Sequence, residues 1–550
     1  MEYSIKPKSL GERRIIHYPQ KRIIGLYVNV MTNYYSIIPF IVSFVLLMRG
    51  KKTYVAMLTA AFTGIVINYL LAASHTLPLF TLQNWFDDVV KGNISTIVSI
   101  YLLGLLMNIK THSKIIVCAN QWLEKHAFSN SIFITIVPVL SVLLSQDDYL
   151  SCLSTGTIAS KFATRYSIPK YYIATIINLT AVTACCISPI SSWSPVITGA
   201  LKKSGIPEHY SVLSASYNIV ALLFLISVIK LCYNAAKSNK KLRTAYIANT
   251  EQINTISNKG IKLLVAIILI LPCTYLFLCK VMNISSPLIG ASILSIFLTI
   301  ILLYQNKMID KPQICVACKE TLREMTSLSF SLISIWTFVM VCDTSLGFNV
   351  FITQCYKVLH TPKIFIPAIL FLIAAIFSFL TGSSYGSFNL FIPLAAQLSA
   401  DYSNTFKLLS VAAAISGSLF AIFSYSSDTT ALCAQSTTSK IQEIRKVQFP
   451  LAKRILIIGI IGYILLAKCI NQPSGYLLTI LCIVLCYTFS LSTHKFTKRH
   501  YIVVYKAYIK LQTINLTYNG NPKLIKLKEY AKHYWKRITC KKSLYCFRIL

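Results

Sequence analysis

The chain has 550 residues, of which 55% are hydrophobic and only 13% are charged. Soluble chains usually carry about 25% charged residues, so this composition excludes an ordinary water-soluble globular protein. The formal net charge of +36 does not indicate nucleic-acid binding, because the lysines and arginines lie between apolar segments and no nucleic-acid-binding motif accompanies them. The composition instead predicts a protein that crosses a membrane many times.

Apolar segments recur along the chain, and many are long enough to cross a hydrocarbon core of about 30 Å as a helix. They predict an all-α polytopic membrane protein with about 11–13 transmembrane helices. The predicted spans, in chain order, are residues 35–48, 54–73, 94–107, 131–144, 171–193, 210–229, 261–278, 281–303, 328–341, 364–380, 408–423, 455–467 and 476–490.

Basic stretches separate these spans and suggest a division of the chain. Two shorter basic runs, 307–323 and 440–454, are predicted to be loops. Because cytoplasmic loops of membrane proteins are rich in lysine and arginine, we expect the basic loops and the tail to face the cytoplasm. The predicted organisation is a basic N-terminal segment (1–34), a first transmembrane half (35–230), a basic loop (231–260), a second transmembrane half (261–490) and a basic tail (491–550).

Small polar residues interrupt the apolar segments at corresponding places in the two halves. Each half contains a T-G-[ST] element, Thr155-Gly156-Thr157 in the first and Thr381-Gly382-Ser383 in the second. Each then has a helix of small residues that ends in a serine-rich break, at 188–193 and at 424–430. Broken helices at matching positions in two halves are typical of transporters whose binding site lies near the membrane midplane.

Three aspartates stand next to apolar stretches: Asp147 and Asp148 after residue 144, and Asp428 in the second break. An acid within a span costs about 2.5–3.5 kcal/mol on insertion scales, and such residues usually mark ion paths. We therefore interpret Asp148 and Asp428 as cation- or proton-binding residues, with Asp147 tuning the proton affinity of its neighbour. The structural alternatives are that the acids cap the following helices and that the small residues only allow close helix packing.

Together these motifs resemble those of the NhaC-type sodium/proton antiporters of the ion-transporter superfamily. In the first half, "QDDYLSCLSTGTIASKF" and "AVTACCISPISSW" are similar to the family's Q-D-D-Y and P-I-S-[ST]-W elements. In the second half, "LTGSSYGSFNLFIPLAAQL" and "SVAAAISGSLFAIFSYSSDTTALCA" are similar to its T-G-[TS] and S-P-I-S-D-T-T elements. The resemblance covers roughly residues 35–490 and leaves out the basic tail.

The resemblance implies a secondary transporter with two inverted repeats that contain broken or re-entrant helices. It implies that Asp147, Asp148 and Asp428 bind the cation or proton. The residues expected to line the substrate cavity are Thr155, Gly156, Thr157, Asn178, Ser191, Ser192, Trp193, Thr381, Gly382, Ser383, Ser427 and Thr429. The chain departs from the family pattern at Asn178, where the family has an acid, and at 420–422, where the family has Gly-Asp-His.

The predicted function is a secondary active antiporter that exchanges Na⁺ or another monovalent cation for H⁺ across the bacterial inner membrane. The alternative, which the missing acids favour, is an H⁺- or Na⁺-coupled transporter or exchanger of amino acids or small carboxylates on the same fold. An enzyme is not predicted, because the chain has no catalytic motif, and the lack of a Walker A motif argues against an ATP-driven pump. We expect no cofactor and no metal beyond transported Na⁺. The expected partners are the lipid bilayer, the cation, and H⁺ or a small solute; a homodimer is left open.

Overall fold

The computed structural model describes residues 34–49, 51–71, 79–115, 130–166, 168–207, 217–238, 258–280, 282, 287–358, 362–470 and 472–492. Outside these ranges lie the predicted basic segment 1–34 apart from its last residue, residues 239–257 of the basic loop, and the tail from 493 onward. All regular structure within the described residues is helical, and no strand occurs among them. The predicted all-α fold is confirmed.

We number the main helices in chain order. The first half contains α1 (Ile38–Met48), α2 (Thr53–Leu70), α3 (Ile94–His112), α4 (Asn130–Leu143), α5 (Asp148–Arg165), α6 (Lys170–Ile187), α7 (Ser194–Lys203) and α8 (Ile219–Ser238). The second half contains α9 (Asn258–Lys280), α10 (Leu288–Gln305), α11 (Lys311–Met340), α12 (Phe348–Val358), α13 (Ile366–Thr381), α14 (Ser384–Leu398), α15 (Asn404–Ser418), α16 (Asp428–Thr437), α17 (Ile441–Cys469) and α18 (Pro473–Ser492).

Nine helical segments of the described chain are long and apolar enough to cross a membrane, judged by length and composition. Four shorter apolar helices, α1, α4, α9 and α18, accompany them. Large apolar side chains also point outward, such as Phe62, which is 67% exposed, and Leu70, which is 77% exposed. Water does not favour such a surface, whereas lipid does. The chain is therefore a multi-pass membrane protein.

Two basic runs that the sequence suggested as loops form the first turns of long helices instead. α11 starts at Lys311 behind a capping box, in which the Gln313 side-chain oxygen accepts from the Asp310 N–H at 2.9 Å. α17 starts at Ile441, well before its apolar part. Lysine, arginine and glutamine lose little rotamer freedom in a helix, and their long side chains reach water from a helix end. The helices therefore extend beyond the apolar segments.

The serine-rich breaks interrupt two central helices. α6 ends at Ile187, and the chain becomes helical again at α7; after α15 a 3-10 turn ends at Phe423, and α16 follows. The second break is shorter than predicted because Ser427 caps α16, its hydroxyl accepting from the Thr430 N–H at 3.3 Å. Both α7 and α16 have 10 residues. Each half thus contains a helix, a loop and a short helical continuation.

The short helices pack against the opposite half of the chain. α7 packs against α14, whereas α16 packs against α5 and α6. The interrupted helices form the centre of the molecule, since 72% of the α6 span and 94% of the span containing α15 are buried inside the protein. Small residues in these helices allow their backbones to approach closely. The two halves consequently share one core.

The expected equivalence of the two T-G-[ST] elements is wrong. Thr155-Gly156-Thr157 lies inside the uninterrupted helix α5, whereas Thr381-Gly382-Ser383 is the turn between α13 and α14. Gly382 ends α13 with a φ of +69°, a left-handed conformation that glycine adopts without steric cost. In the first half the turn that leads into the corresponding helix contains Asp147, so a shared tripeptide does not mark a shared place in the fold.

Candidate functional site

The site is built on the N-terminus of α5, where the two adjacent aspartates have different roles. Asp147 is the N-cap residue, and its Oδ1 accepts from the Leu150 N–H at 3.0 Å. Asp148 is the first residue of the helix and is only 2% exposed. The capping explanation therefore accounts for Asp147 but not for Asp148, whose carboxyl group is buried in the protein.

The third aspartate approaches from the other half. Asp428 is the first residue of α16 and is exposed, while its Oδ2 accepts from the Tyr149 hydroxyl at 3.3 Å. The charges of Asp147 and Asp428 both act on Asp148. The predicted acids of the two halves are thus brought together, and Tyr149, which follows Asp148 in α5, provides the link.

α5 and α16 lie side by side and run in the same direction. Beyond the Tyr149–Asp428 contact at their first turns, the Ser436 hydroxyl near the end of α16 donates to the Cys152 carbonyl at 2.9 Å, and the Ser160 hydroxyl donates to the Thr437 carbonyl at 3.3 Å. Both N-termini therefore lie at the same end of the pair, next to the acids. Since the N-terminus of a helix carries a partial positive charge, two such ends stabilise carboxylates placed between them.

Gly156 makes this helix pair possible. A Cβ atom at that position would lie 2.6 Å from Ser436 Cβ, and even closer to its hydroxyl oxygen. Of its neighbours in the motif, Thr155 is fully buried, whereas Thr157 is exposed and donates to the Leu153 carbonyl at 2.8 Å within its own helix. Gly156 therefore lies at a contact between the two halves.

The loop between α6 and α7 forms a second wall of the site. The Ser192 N–H donates to the Gln146 carbonyl at 2.8 Å, and the Ser191 hydroxyl donates to the Cys185 carbonyl at 2.6 Å. Ser192 Oγ and Trp193 Nε1 are near Asp147 and Asp148, respectively, and within the described residues neither atom has a hydrogen-bond partner. Buried polar atoms of this kind usually bind water, an ion or a ligand.

Tyr385 of α14 completes this wall. Its ring packs edge-on against Trp193, with centroids 6.0 Å apart, and the charges of both α5 aspartates act on its hydroxyl group. Tyr385 and Tyr149 were not predicted from the sequence. A tyrosine next to each predicted element was visible, but only the packing of distant helices shows that both face the acids.

Asn178 occupies the position at which the resembling family has an acid. Its Nδ2 donates to Thr430 Oγ1 at 2.8 Å, and that hydroxyl donates to the Ile422 carbonyl at 2.8 Å. The Asn178 Oδ1 atom is buried and has no hydrogen-bond partner in the described structure, and the same is true of Thr155 Oγ1. The amide thus ties α6 to α16 without adding a charge.

Three further predicted residues of the second half form the turn between α13 and α14, and one of them, Gly382, lies against the loop before Asp428. A Cβ atom on Gly382 would lie 2.5 Å from Ser426 Oγ and 2.8 Å from the Ser426 carbonyl oxygen. The Thr381 carbonyl accepts from the Thr53 hydroxyl at 3.4 Å, and the Ser383 N–H donates to Thr381 Oγ1 at 3.3 Å. Gly382 thus packs against the loop, while Thr381 and Ser383 bond to each other and to α2.

Ser427 and Thr429 lie on either side of Asp428. Their hydroxyl groups are 3.3 Å apart, and both residues are buried. The first turn of α16 thus has a polar surface next to the carboxylate.

A buried lysine close to the site was also missed. Lys110 of α3 is 5% exposed, and its ammonium donates to Gln146 Oε1 at 2.6 Å. Gln146 precedes Asp147 and binds Ser192, so Lys110 anchors the residue that joins the two walls. Lys110 follows the predicted span 94–107, where a lysine is an ordinary flanking residue, so only the packing of α3 shows that it is buried.

Comparisons with known proteins give the family and the fold of the chain. A family model described as the Na⁺/H⁺ antiporter family matches residues 184–468, which contain Asp428 but not the α5 aspartates. An uncharacterized protein of Haemophilus influenzae is 23% identical over 498 residues, which are 82% of this chain and 94% of that protein.

Two solved structures have a similar fold. The YdaH transporter of Alcanivorax borkumensis has a TM-score of 0.50 and 14% identity, and the match covers 76% of this chain and 98% of that one. MtrF of Neisseria gonorrhoeae has a TM-score of 0.51 and 10% identity, with 76% and 95% covered. At these identities the likeness shows the fold alone.

Proposed function

Because the chain belongs to the Na⁺/H⁺ antiporter family, we propose that it exchanges Na⁺ or another monovalent cation for H⁺ by alternating access. The observation that carries this proposal is the Tyr149–Asp428 hydrogen bond, which joins the acids of the two halves in one site. A buried acid that interacts with a second acid from another helix is the arrangement expected for a residue that alternates between a proton and a cation.

Competition for the same carboxylates would couple the two ions. A carboxylate that holds Na⁺ must first lose its proton, and protonation removes the charge that attracts the cation. Asp148 would be the main binding group, with Asp147 and Asp428 adding negative charge beside it. The unpartnered Ser192 hydroxyl would add an oxygen ligand of the type that hard cations prefer.

The crossed packing of the short helices is consistent with alternating access. Each half contributes a broken helix to the centre, and the short continuation of each is held by the other half. In transporters built from inverted repeats, one unit moves against the other around a fixed site. We propose that residues 35–230 and 261–490 form these two units. We also propose that the basic segments face the cytoplasm.

A second candidate is the coupled transport of an amino acid or small carboxylate. Asn178 favours it, because an amide replaces an acid and leaves one oxygen unpartnered. MtrF, whose fold is similar, is described as one of a class of antimetabolite efflux pumps. An organic solute would use the free Trp193 N–H and Ser192 hydroxyl as hydrogen-bonding groups, with an aspartate binding an ammonium group.

A transport assay separates the two candidates. The purified chain is reconstituted in liposomes, a pH gradient is imposed, and Na⁺, Li⁺, K⁺ and a set of amino acids are added in turn. Dissipation of the gradient by a monovalent cation alone supports the exchanger. Dissipation only when an amino acid is present supports the second candidate, and no response to any of them contradicts both.

The cellular setting belongs to the same proposal. We propose a bacterial inner-membrane location, with the lipid bilayer, the cation and H⁺ as partners. We also propose that the protein acts as a transporter without a cofactor, and that it does not act as an enzyme or bind nucleic acid. Cross-linking in native membranes would test for a homodimer.

A further inference from the structure

The loop that precedes Asp428 is a four-residue turn, Ser424 to Ser427. The Ser427 N–H donates to the Ser424 carbonyl at 3.4 Å, and the Ser426 N–H donates to Ser424 Oγ at 3.1 Å. Tyr425 therefore occupies the second position of the turn. The residue at this position determines how firmly a turn is fixed, because its φ must stay near −60°.

The loop of the first half repeats both hydrogen bonds. The Ser191 N–H donates to the Ser188 carbonyl at 3.5 Å, and the Ile190 N–H donates to Ser188 Oγ at 3.3 Å. Here the second position is Pro189, whose ring fixes φ near −65°. Ser188 has the extended conformation that a following proline requires, with φ −76° and ψ 127°. The first turn is thus fixed by its own sequence.

The second turn lacks the proline and is held by α17 instead. The Arg445 guanidinium lies 4.6 Å from the centre of the Tyr425 ring and donates to the Tyr425 carbonyl at 2.6 Å. The Phe449 ring, one turn further along α17, is 5.4 Å from the Tyr425 ring. Burial does not hold Tyr425 in place, because it is 68% exposed. We call the contacts of Arg445 with Tyr425 the Arg445 clamp.

The next residue of the turn, Ser426, packs against a glycine. The backbone of Ser426 comes so near Gly382 that a Cβ atom there would lie 2.8 Å from its carbonyl oxygen. The turn therefore contacts Gly382 through Ser426 and Arg445 through Tyr425, and Asp428 follows it immediately. A shift of the turn moves the carboxylate relative to Tyr149, its hydrogen-bond donor on α5.

We propose that Arg445 is a positioning residue for Asp428, and that its clamp on Tyr425 does in the second half what Pro189 does in the first. The inference rests on the proposed role of Asp428 in cation binding. Without the clamp the turn samples other conformations, and the apparent affinity for the cation falls with the fraction of molecules that remain competent to bind. The maximal rate changes less, because the competent molecules are unaltered.

Proline at position 425 offers a direct rescue. Ser424 is already extended, with φ −61° and ψ 152°, as a following proline requires. The Tyr425 N–H makes no hydrogen bond in the described part of the chain, so proline removes none. Arg445→Met should raise the apparent KM for the cation about tenfold if a tenth of the molecules stay competent. Adding Tyr425→Pro should bring KM back to within about twofold of wild type by the same relation.

Two further variants separate the clamp from the charge. Arg445→Lys keeps the charge but loses the planar stacking group, so its KM should rise nearly as much as that of Arg445→Met. Lys446→Met removes a charge from the next, exposed residue of α17 and should behave like wild type. A wild-type KM in Arg445→Met, or no rescue by proline, would overturn the inference. Should Arg445→Met fail to insert, Arg445→Lys with and without Tyr425→Pro carries the same test.

Hydrogen–deuterium exchange of the peptide that contains residues 424–428 gives a readout independent of transport. Exchange should be faster in Arg445→Met than in wild type and slower again after addition of Tyr425→Pro. Unchanged exchange in Arg445→Met contradicts the clamp even if transport is lost. If wild type moves no cation but the exchange pattern is as expected, the proposed function is wrong and the clamp stands.

Discussion

The two breaks at the centre of the molecule have the same hydrogen bonds but different supports. The first turn contains Pro189, is half-buried up to the buried Ser191, and leads into α7, which packs on the opposite half. The second turn has an exposed residue, Tyr425, at the position of the proline and leads into α16 with Asp428 at its start. In the first half the proline ring thus restricts the backbone of the loop. In the second half non-covalent contacts with α17 do so.

The acids differ in the same way. Asp148 is buried and surrounded by Tyr149, Trp193 and Tyr385, whereas Asp428 is exposed and has a hydrogen bond only from Tyr149 in the described structure. Buried groups are held by packing, while an exposed group depends on the segment that carries it. We therefore expect changes near Asp148 to affect whether transport occurs, and changes near Asp428 to affect how tightly the cation binds.

The largest effect is expected from removing the charges themselves. Asp148→Asn keeps the size of the side chain but removes the cation ligand, so coupled transport in liposomes should be abolished while insertion is unchanged. Asp428→Asn should do likewise, and Asp147→Asn should mainly shift the pH profile. Asp401→Asn, on the exposed turn between α14 and α15, is the control. Wild-type transport by both Asp148→Asn and Asp428→Asn at every pH would remove these acids from the coupling mechanism.

The two glycines of the T-G-[ST] elements should give different rescue patterns. Gly156→Ala and Gly382→Ala should each lower the free energy of unfolding by about 1–3 kcal/mol, because the added methyl group would lie too close to neighbouring atoms. Adding Ser436→Gly should restore the stability of Gly156→Ala, since the added methyl group clashes with the Ser436 side chain. Adding Ser426→Gly should not restore the stability of Gly382→Ala, because the carbonyl oxygen of residue 426 and the positive φ of residue 382 remain.

Thermal unfolding in detergent measures these differences in stability. Rescue of both alanine variants, or of neither, would mean that the two glycines have the same role. That result would contradict the separate places that the fold gives them, one between helices and one in a turn.

These glycines also show how far the sequence could predict the site. The spans, the two breaks and the three aspartates were visible, because apolar length, serine-rich interruptions and rare acids are local features. The pairing of Thr155–Thr157 with Thr381–Ser383 was wrong, because the same tripeptide can lie inside a helix or at its end. The contact of Tyr149 with Asp428 joins residues far apart in the chain, and no local pattern contains it.

A smaller effect should follow from loosening the first turn. Pro189→Tyr replaces the proline with the tyrosine that the second turn has, but it supplies no arginine to hold that tyrosine. The apparent KM should rise about threefold if a third of the molecules stay competent. Pro189→Ala, which lacks the ring but adds no bulk, should have a similar effect. A wild-type KM for both would show that the first turn keeps its conformation without proline, and the proposed equivalence of proline and clamp would lose its basis.

The smallest effect is expected at the helix caps. Ser427 caps α16 through the Thr430 N–H, as Asp147 caps α5 through the Leu150 N–H. Ser427→Ala removes one hydrogen bond to the helix end and should cost about 1 kcal/mol, the usual value for a serine cap. Ser427→Asp keeps a cap and adds a negative charge next to Asp428. The first variant should therefore lower the melting temperature slightly with a nearly unchanged KM, whereas the second should keep the melting temperature and alter the pH dependence of transport. If Ser427→Ala raises KM as much as Arg445→Met does, the cap and not the clamp controls the position of Asp428.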